Sequence, residues 1–190
     1  MTGNEVIEQF ERVGALLEGH FVYASGRHGR RFLQASRVLQ HPDTTERLCK
    51  ALAERFSANP PSLVVGPATG GIILAYETAR HLGCRAAFTE KEDGGMALKR
   101  GFRIAPGERV LVVEDIITTG GSVKKSIDHL RARGAEIIGV GALIDRSGGT
   151  AAFDVPFESL AQLSFECYPP EAVPADLAAI PIFEPDDLVL

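Results

Sequence analysis

A chain of 190 residues, 45% hydrophobic and 24% charged, has enough apolar mass for one α/β domain with its own core, which argues against disorder. Its 20 Lys and Arg against 25 Asp and Glu leave a formal net charge of −5, so the basic surplus of a protein that reads duplex nucleic acid is missing and such a partner is disfavoured. Three scattered cysteines, Cys49, Cys84 and Cys167, form no CxxC or Cys/His spacing, the acidic start is not a signal peptide, and no apolar run approaches a membrane span; the expectation is a soluble, cytoplasmic protein with reduced thiols.

Val6, Ile7, Phe10, Val13 and Leu17 recur at helical spacing and predict a helix over residues 4–18, stopped by Gly19. Residues 20–33 are short, glycine-punctuated and β-prone, which fits a hairpin turning at Ser25-Gly26. Pro42 opens a second helix with Leu48, Leu52 and Phe56 on one face, ended by Pro60-Pro61. Strand and helix then alternate: a strand at 63–65, a helix at 72–82 with Ile72, Tyr76 and Ala79 in register as core, and a strand at 85–89. Residues 88–102, FTEKEDGGMALKRGF, are charged and read as a mobile loop. Strands at 109–113 and 137–144 flank a helix at 123–133. Four consecutive apolar residues, Val110 to Val113, fit a strand buried on both faces. The alternation implies a parallel sheet flanked by helices, with ligands beyond the carboxyl ends of its strands.

The segment at that edge with the most chemistry is VLVVEDIITTGGS, 110–122. Gly120 and Gly121 let the backbone turn tightly and present N–H groups. The following helix offers the positive end of its dipole, and Thr118, Thr119 and Ser122 add hydroxyls, so the whole makes a phosphate cradle. Glu114 and Asp115 would repel that phosphate; they suit a diol or a magnesium ion. A ribose 5-phosphate carries both features. The loop is neither GxxxxGK[ST] nor GxGxxG. A second glycine turn, VVGPATGG at 64–71, could bind another anion at Thr69 and Gly70. The five histidines show no ligand spacing and read as structural or surface groups.

Residues 110–122 resemble the phosphoribosyl-pyrophosphate signature of type I phosphoribosyltransferases. That resemblance implies an open, mainly parallel sheet flanked by helices, here one domain over 1–190, with a small hood from about 1–35 and the C-terminal segment. It implies that Glu114 and Asp115 meet the ribose hydroxyls and act in catalysis with Lys91, while Thr118, Thr119, Gly120, Gly121 and Ser122 hold the 5-phosphate. Thr69, Gly70, Lys91, Lys99 and Arg100 would serve the pyrophosphate, with magnesium held mainly by the sugar substrate near Asp115. Within the family the chain is most similar to orotate phosphoribosyltransferases. The 20–33 segment resembles their base pocket at Ser25, Arg27 and Phe32; Arg146 after Asp145 would grip the orotate carboxylate, and Thr118 would touch the pyrimidine ring. Glu90 stands where many members have an arginine before the loop lysine, and the later lysine and histidine are missing; Leu98 to Phe102 resembles a shorter-loop subgroup instead. The implied activity transfers a phosphoribosyl group from phosphoribosyl pyrophosphate to orotate in pyrimidine biosynthesis, by a homodimer with neither nucleic acid nor membrane as partner. The rival readings are a purine or xanthine phosphoribosyltransferase and a nucleotide-sensing regulator of the same fold.

Overall fold

The computed structural model describes residues 1–23 and 25–183; Ala24 of the expected hairpin and residues 184–190 of the expected domain lie outside the described residues. Helix α1 (Gly3–Arg12) starts at a capping box, in which the Thr2 backbone N–H donates to Glu5 at 2.6 Å and the Glu5 N–H to the Thr2 hydroxyl at 3.3 Å. It buries Val6 and Phe10. The helix expected over 4–18 is therefore too long: the chain turns at Val13-Gly14, and Leu17 belongs to strand β1 (Leu16–Val22). A helical period and a strand period share positions over so few residues, and the Gly14 turn decides between them.

Strand β1 pairs antiparallel with β2 (His28–Leu33) around the Ser25-Gly26 turn. A short helix α2 (Ser36–Leu39) precedes α3 (Pro42–Arg55), which has proline in its first turn and Leu48 and Leu52 fully buried. Strand β3 (Leu63–Pro67), helix α4 (Gly70–Leu82), β4 (Arg85–Glu92), β5 (Gly95–Leu98), β6 (Arg109–Ile117), α5 (Gly121–Ala132), β7 (Glu136–Asp145) and β8 (Phe157–Gln162) follow. They build a six-stranded sheet in the order β5-β4-β3-β6-β7-β8, parallel except for β5 at one edge. The two-residue strand β9 (Cys167–Tyr168) pairs with β2, closing a separate three-stranded sheet, and helix α6 (Ala175–Ala178) follows. The backbone of Phe183 donates to His20 O at 2.8 Å, which joins the end of the described chain to β1.

The apolar run of β6 divides as a doubly buried strand should. Leu111 and Val113 pack with Leu48, Leu52 and Leu74 under α3 and α4; Val110 and Val112 pack with Val123, Ile127 and Leu130 under α5. Two expectations fail. Tyr76 is not core: it is 69% exposed on the outer face of α4, beside Ile73, because Leu74, Ala75 and Ala79 carry that helix's buried stripe. Residues 88–102 are not a loop either. Strand β4 runs on to Glu92, turns at Asp93-Gly94 and returns as β5, with Met96, Ala97 and Leu98 buried against α5. The charged residues of this segment lie in a hairpin whose apolar residues are few enough to be masked by composition. Among the described residues no helix is long and apolar enough to cross a membrane.

Candidate active site

Four connections meet at the carboxyl edge of the parallel strands: β3–α4, the β4–β5 hairpin, β6–α5 and the segment after β7. Strand β6 delivers the acids. Its ladder with β7 continues through Glu114 opposite Ala142, so both carboxylates are fixed by strand register rather than by a flexible loop. Burial pushes the Glu114 carboxyl up to about 8, with the neighbouring Asp115 charge adding to it. Burial also raises Asp115, although the Ile116 N–H donates to its Oδ1 at 2.7 Å. No ion pair among the described residues offsets either acid. Such a pair is the kind of arrangement held ready for a cation or a diol.

The β3–α4 turn abuts this pair. A Cβ at residue 70 would run into Asp115 Oδ2, so glycine lets the two loops touch with that carboxylate in place. The peptide between Ala68 and Thr69 is cis. After the acids, Thr118 and Thr119 are exposed and Gly120, at φ +71°, is the N-cap of α5. Neither side chain nor backbone of Thr118 to Ser122 fills the N-terminus of α5 with a strong cap; the Gly121 N–H makes only a 3.4 Å contact to the Thr119 hydroxyl. The helix end thus keeps unmatched donors, as an anion site requires.

Lys91 comes to this loop. It lines a cleft of about 440 Å3 together with Thr119, Gly121, Ser122 and Lys125. Lys125 escaped sequence reasoning, although its place one turn into the helix after the cradle was a usable signal. A larger depression of about 790 Å3 is lined by α1 and the start of α3, with no strand-end loop, and holds none of this chemistry. Lys99 and Arg100 are engaged inside the hairpin: Lys99 lies 2.8 Å from Glu92, and Arg100 grips Glu90 with two bonds of 2.9 and 2.8 Å.

Arg146 leaves β7 with its N–H donated to Ile117 O at 2.7 Å. Its guanidinium lies over the rings of Tyr23, at 4.6 Å, and Phe165, at 5.2 Å. Cation–π contact with both rings holds the guanidinium in place, and its planar fork is of the kind that suits a carboxylate. Asp145 does not pair with it: that carboxylate is buried and accepts from Ser147 N–H at 2.8 Å. Of the hairpin residues, Tyr23 is the one that reaches Arg146; its hydroxyl donates to Arg31 O at 2.6 Å, and burial raises its pKa. Arg27 is turned to β9, donating to Cys167 O at 2.7 Å, Phe32 packs on Phe21 with centroids 5.6 Å apart, and Ser25 sits exposed at the turn. The structure therefore gathers Thr69, Gly70, Lys91, Glu114, Asp115 and 118–122 at one edge, and does not bring Arg27 or Phe32 to them.

Of the histidines, His20 bonds His28 at 2.7 Å and His129 accepts from Leu98 N–H at 3.0 Å. Ligand atoms of Glu46, Glu77 and His81 come within 4.8 Å of one another, but Arg80 bonds both glutamates.

A family described as phosphoribosyl transferase domain matches residues 34–161. The chain is 48% identical over 185 residues to an orotate phosphoribosyltransferase of Desulforamulus reducens, covering 97% of each chain. It is also 48% identical over 193 residues to one of Methylorubrum extorquens, covering 100% of this chain and 98% of the other. The crystal structure of orotate phosphoribosyltransferase from Aeropyrum pernix superimposes with a TM-score of 0.71 at 30% identity, over 83% of this chain and 93% of that one.

Proposed function

The chain belongs to the phosphoribosyltransferase family, and from that premise we propose that it joins orotate to the phosphoribosyl group of phosphoribosyl pyrophosphate, giving orotidine 5′-monophosphate and pyrophosphate. The observation that carries this reading is the half-buried Glu114–Asp115 pair, without an ion-pair partner among the described residues, set directly before an open phosphate cradle. A ring nitrogen of orotate, giving up its proton to solvent, bonds to the anomeric carbon as the carbon–oxygen bond to pyrophosphate breaks and the pyrophosphate keeps the electron pair. Glu114 and Asp115 accept hydrogen bonds from the ribose hydroxyls and face the positive charge that grows on the sugar. The 118–122 backbone and hydroxyls hold the 5-phosphate, Thr69 and Gly70 the pyrophosphate, and Lys91 adds positive charge where the leaving group becomes anionic. Arg146, held against the Tyr23 and Phe165 rings, receives the orotate carboxylate in a two-bonded fork. Thr118 is set against the pyrimidine.

Magnesium fits the same corner: Asp115 and Glu114 are hard oxygen donors, half-buried and without a counter-cation among the described residues, and they would hold an ion that would neutralise charge on the pyrophosphate. A cytoplasmic homodimer completes the reading, with the net charge of −5 disfavouring nucleic acid.

The test is the absorbance of orotate with phosphoribosyl pyrophosphate and magnesium, run against uracil, hypoxanthine and xanthine. Loss of the orotate signal with uracil inert supports the proposal. Preferred use of hypoxanthine or xanthine would transfer it to a purine-type enzyme, and a nucleic-acid mobility shift without turnover would make the chain a regulator.

A further inference from the structure

Behind the phosphate cradle lies an aromatic residue that neither the motif nor the family match singles out for a role. The ring of Phe153, in the connection between β7 and β8, lies against Gly120: a Cβ placed on Gly120 would stand 2.8 Å from the ring's Cζ. The ring is itself fixed, edge-on to Phe157 at the start of β8, with centroids 5.3 Å apart and planes at 77°. Lys124, in the first turn of α5, holds its ammonium 5.8 Å from the same ring. The next residue, Asp154, clasps Arg131 in the last turn of α5 with two bonds of 2.7 and 3.0 Å. The connection is thus fastened to α5 at both ends of the helix, and at the N-terminal end the fastening is made on the cradle's own left-handed glycine.

We propose that Phe153 is a positioning residue for the sugar phosphate. It holds Gly120 in its left-handed conformation, closes the rear of the turn to water, and leaves one open side, the cleft with Lys91, from which a phosphate meets the loop's N–H groups. Three observations support this over packing alone: besides packing against the apolar cluster under α5, the ring meets the turn itself at Gly120; the ring is only partly buried; and the Asp154–Arg131 clasp fixes the backbone beside it. A turn ordered before the ligand arrives binds more tightly, since no ordering cost remains. The inference rests on the reading of 118–122 as a phosphate site.

The experiment compares wild type, Phe153→Ala, Phe153→Leu and Asp154→Ala. Binding of ribose 5-phosphate is measured by calorimetry, and KM for each substrate is measured with the other saturating. Phe153→Ala is expected to weaken ribose 5-phosphate and raise KM for phosphoribosyl pyrophosphate by about 10- to 100-fold, in the range reported for small misplacements of a bound group. KM for orotate should stay within about twofold and the melting temperature should fall little. Phe153→Leu should recover most of the loss. Asp154→Ala, which keeps the ring and frees its tether, should show a smaller shift in the same direction and serves if Phe153→Ala does not fold. Unchanged ribose 5-phosphate binding in Phe153→Ala, or parallel rises in both KM values, overturns the role of Phe153 alone. If the wild type binds no ribose 5-phosphate, the phosphate reading falls and takes this inference with it.

Discussion

The β4–β5 hairpin and the end of β6 both carry charge to the same edge of the sheet, yet they treat it in opposite ways. In the hairpin Glu90 holds Arg100 and Glu92 holds Lys99; Arg100 lowers the pKa of Glu90 and Glu92 raises that of Lys99, with Glu92, Lys99 and Arg100 exposed and Glu90 half-buried. At the end of β6 the two acids are half-buried and raised, and no ion pair among the described residues meets them. Surface pairs contribute little to stability and are cheap to make, whereas ionising a half-buried carboxyl with no cation beside it weighs against the fold. A sequence keeps the second arrangement only where something outside the chain supplies the missing charge or hydrogen bonds. Lys91 stands between the two: it belongs to the hairpin but has no carboxylate partner there, and it lines the cradle's cleft.

Asp115→Asn strikes at the costly side of this contrast and should show the largest effect. The fold should persist and turnover should fall by about 10²–10³-fold, the scale of one lost transition-state contact. Equal kcat in the variant at saturating substrate would remove Asp115 from the site. Lys91→Ala should lose about 10²-fold in turnover at unchanged stability, since an exposed lysine adds little to folding. Mixing it with Asp115→Asn resolves which subunit it serves. In this structure Lys91 lines its own chain's cleft, so every site in a mixed dimer carries one defect and activity stays low. Activity regained on mixing would mean that Lys91 crosses to the partner.

The third outcome is in stability. Glu114 has its pKa raised from 4.5 to about 8, so the fold prefers its neutral form. That preference contributes fully below about pH 4.5 and is lost as pH rises through about 8, a swing on the order of 5 kcal/mol. Glu114→Gln cannot ionise. Its melting temperature should exceed that of wild type by more at pH 9 than at pH 5, in the absence of substrates, while activity falls. A gap that does not widen with pH would show that Glu114 is not held neutral by burial. Smallest of all, Lys99→Ala and Arg100→Ala should each cost less than about 1 kcal/mol and leave turnover within about threefold. A larger loss of turnover from either would show that the hairpin opens its ion pairs to reach the leaving group.

Much of the fold was legible because parallel strands buried on both faces must be continuously apolar, as Val110 to Val113 are, and because the turns after them need glycine where the backbone meets an anion. The acids stood out for the same reason: nothing in an apolar run calls for Glu114 and Asp115. The hairpin was harder to read. Its polar residues outnumber Met96, Ala97 and Leu98, and whether three apolar residues are buried depends on α5 lying beneath them, which is a contact between distant parts of the chain. Tyr76 shows the converse. It fits a helical period with Ile72 and Ala79, but which side of α4 meets the sheet was set by Leu74 and Ala75 packing on β3 and β6.

By itself, then, the sequence determined the alternation of strand and helix and the local chemistry of the β6–α5 turn, since both depend on neighbours within a few residues. Only the tertiary structure decided that Asp115 would touch Gly70, that Arg146 would lie over the rings of Tyr23 and Phe165, and that Phe153 would back Gly120. Each joins residues from separate connections that share no local pattern, and they meet because parallel strands bring their loops to one edge, where the packing of sheet, helices and hood selects which side chains come into contact.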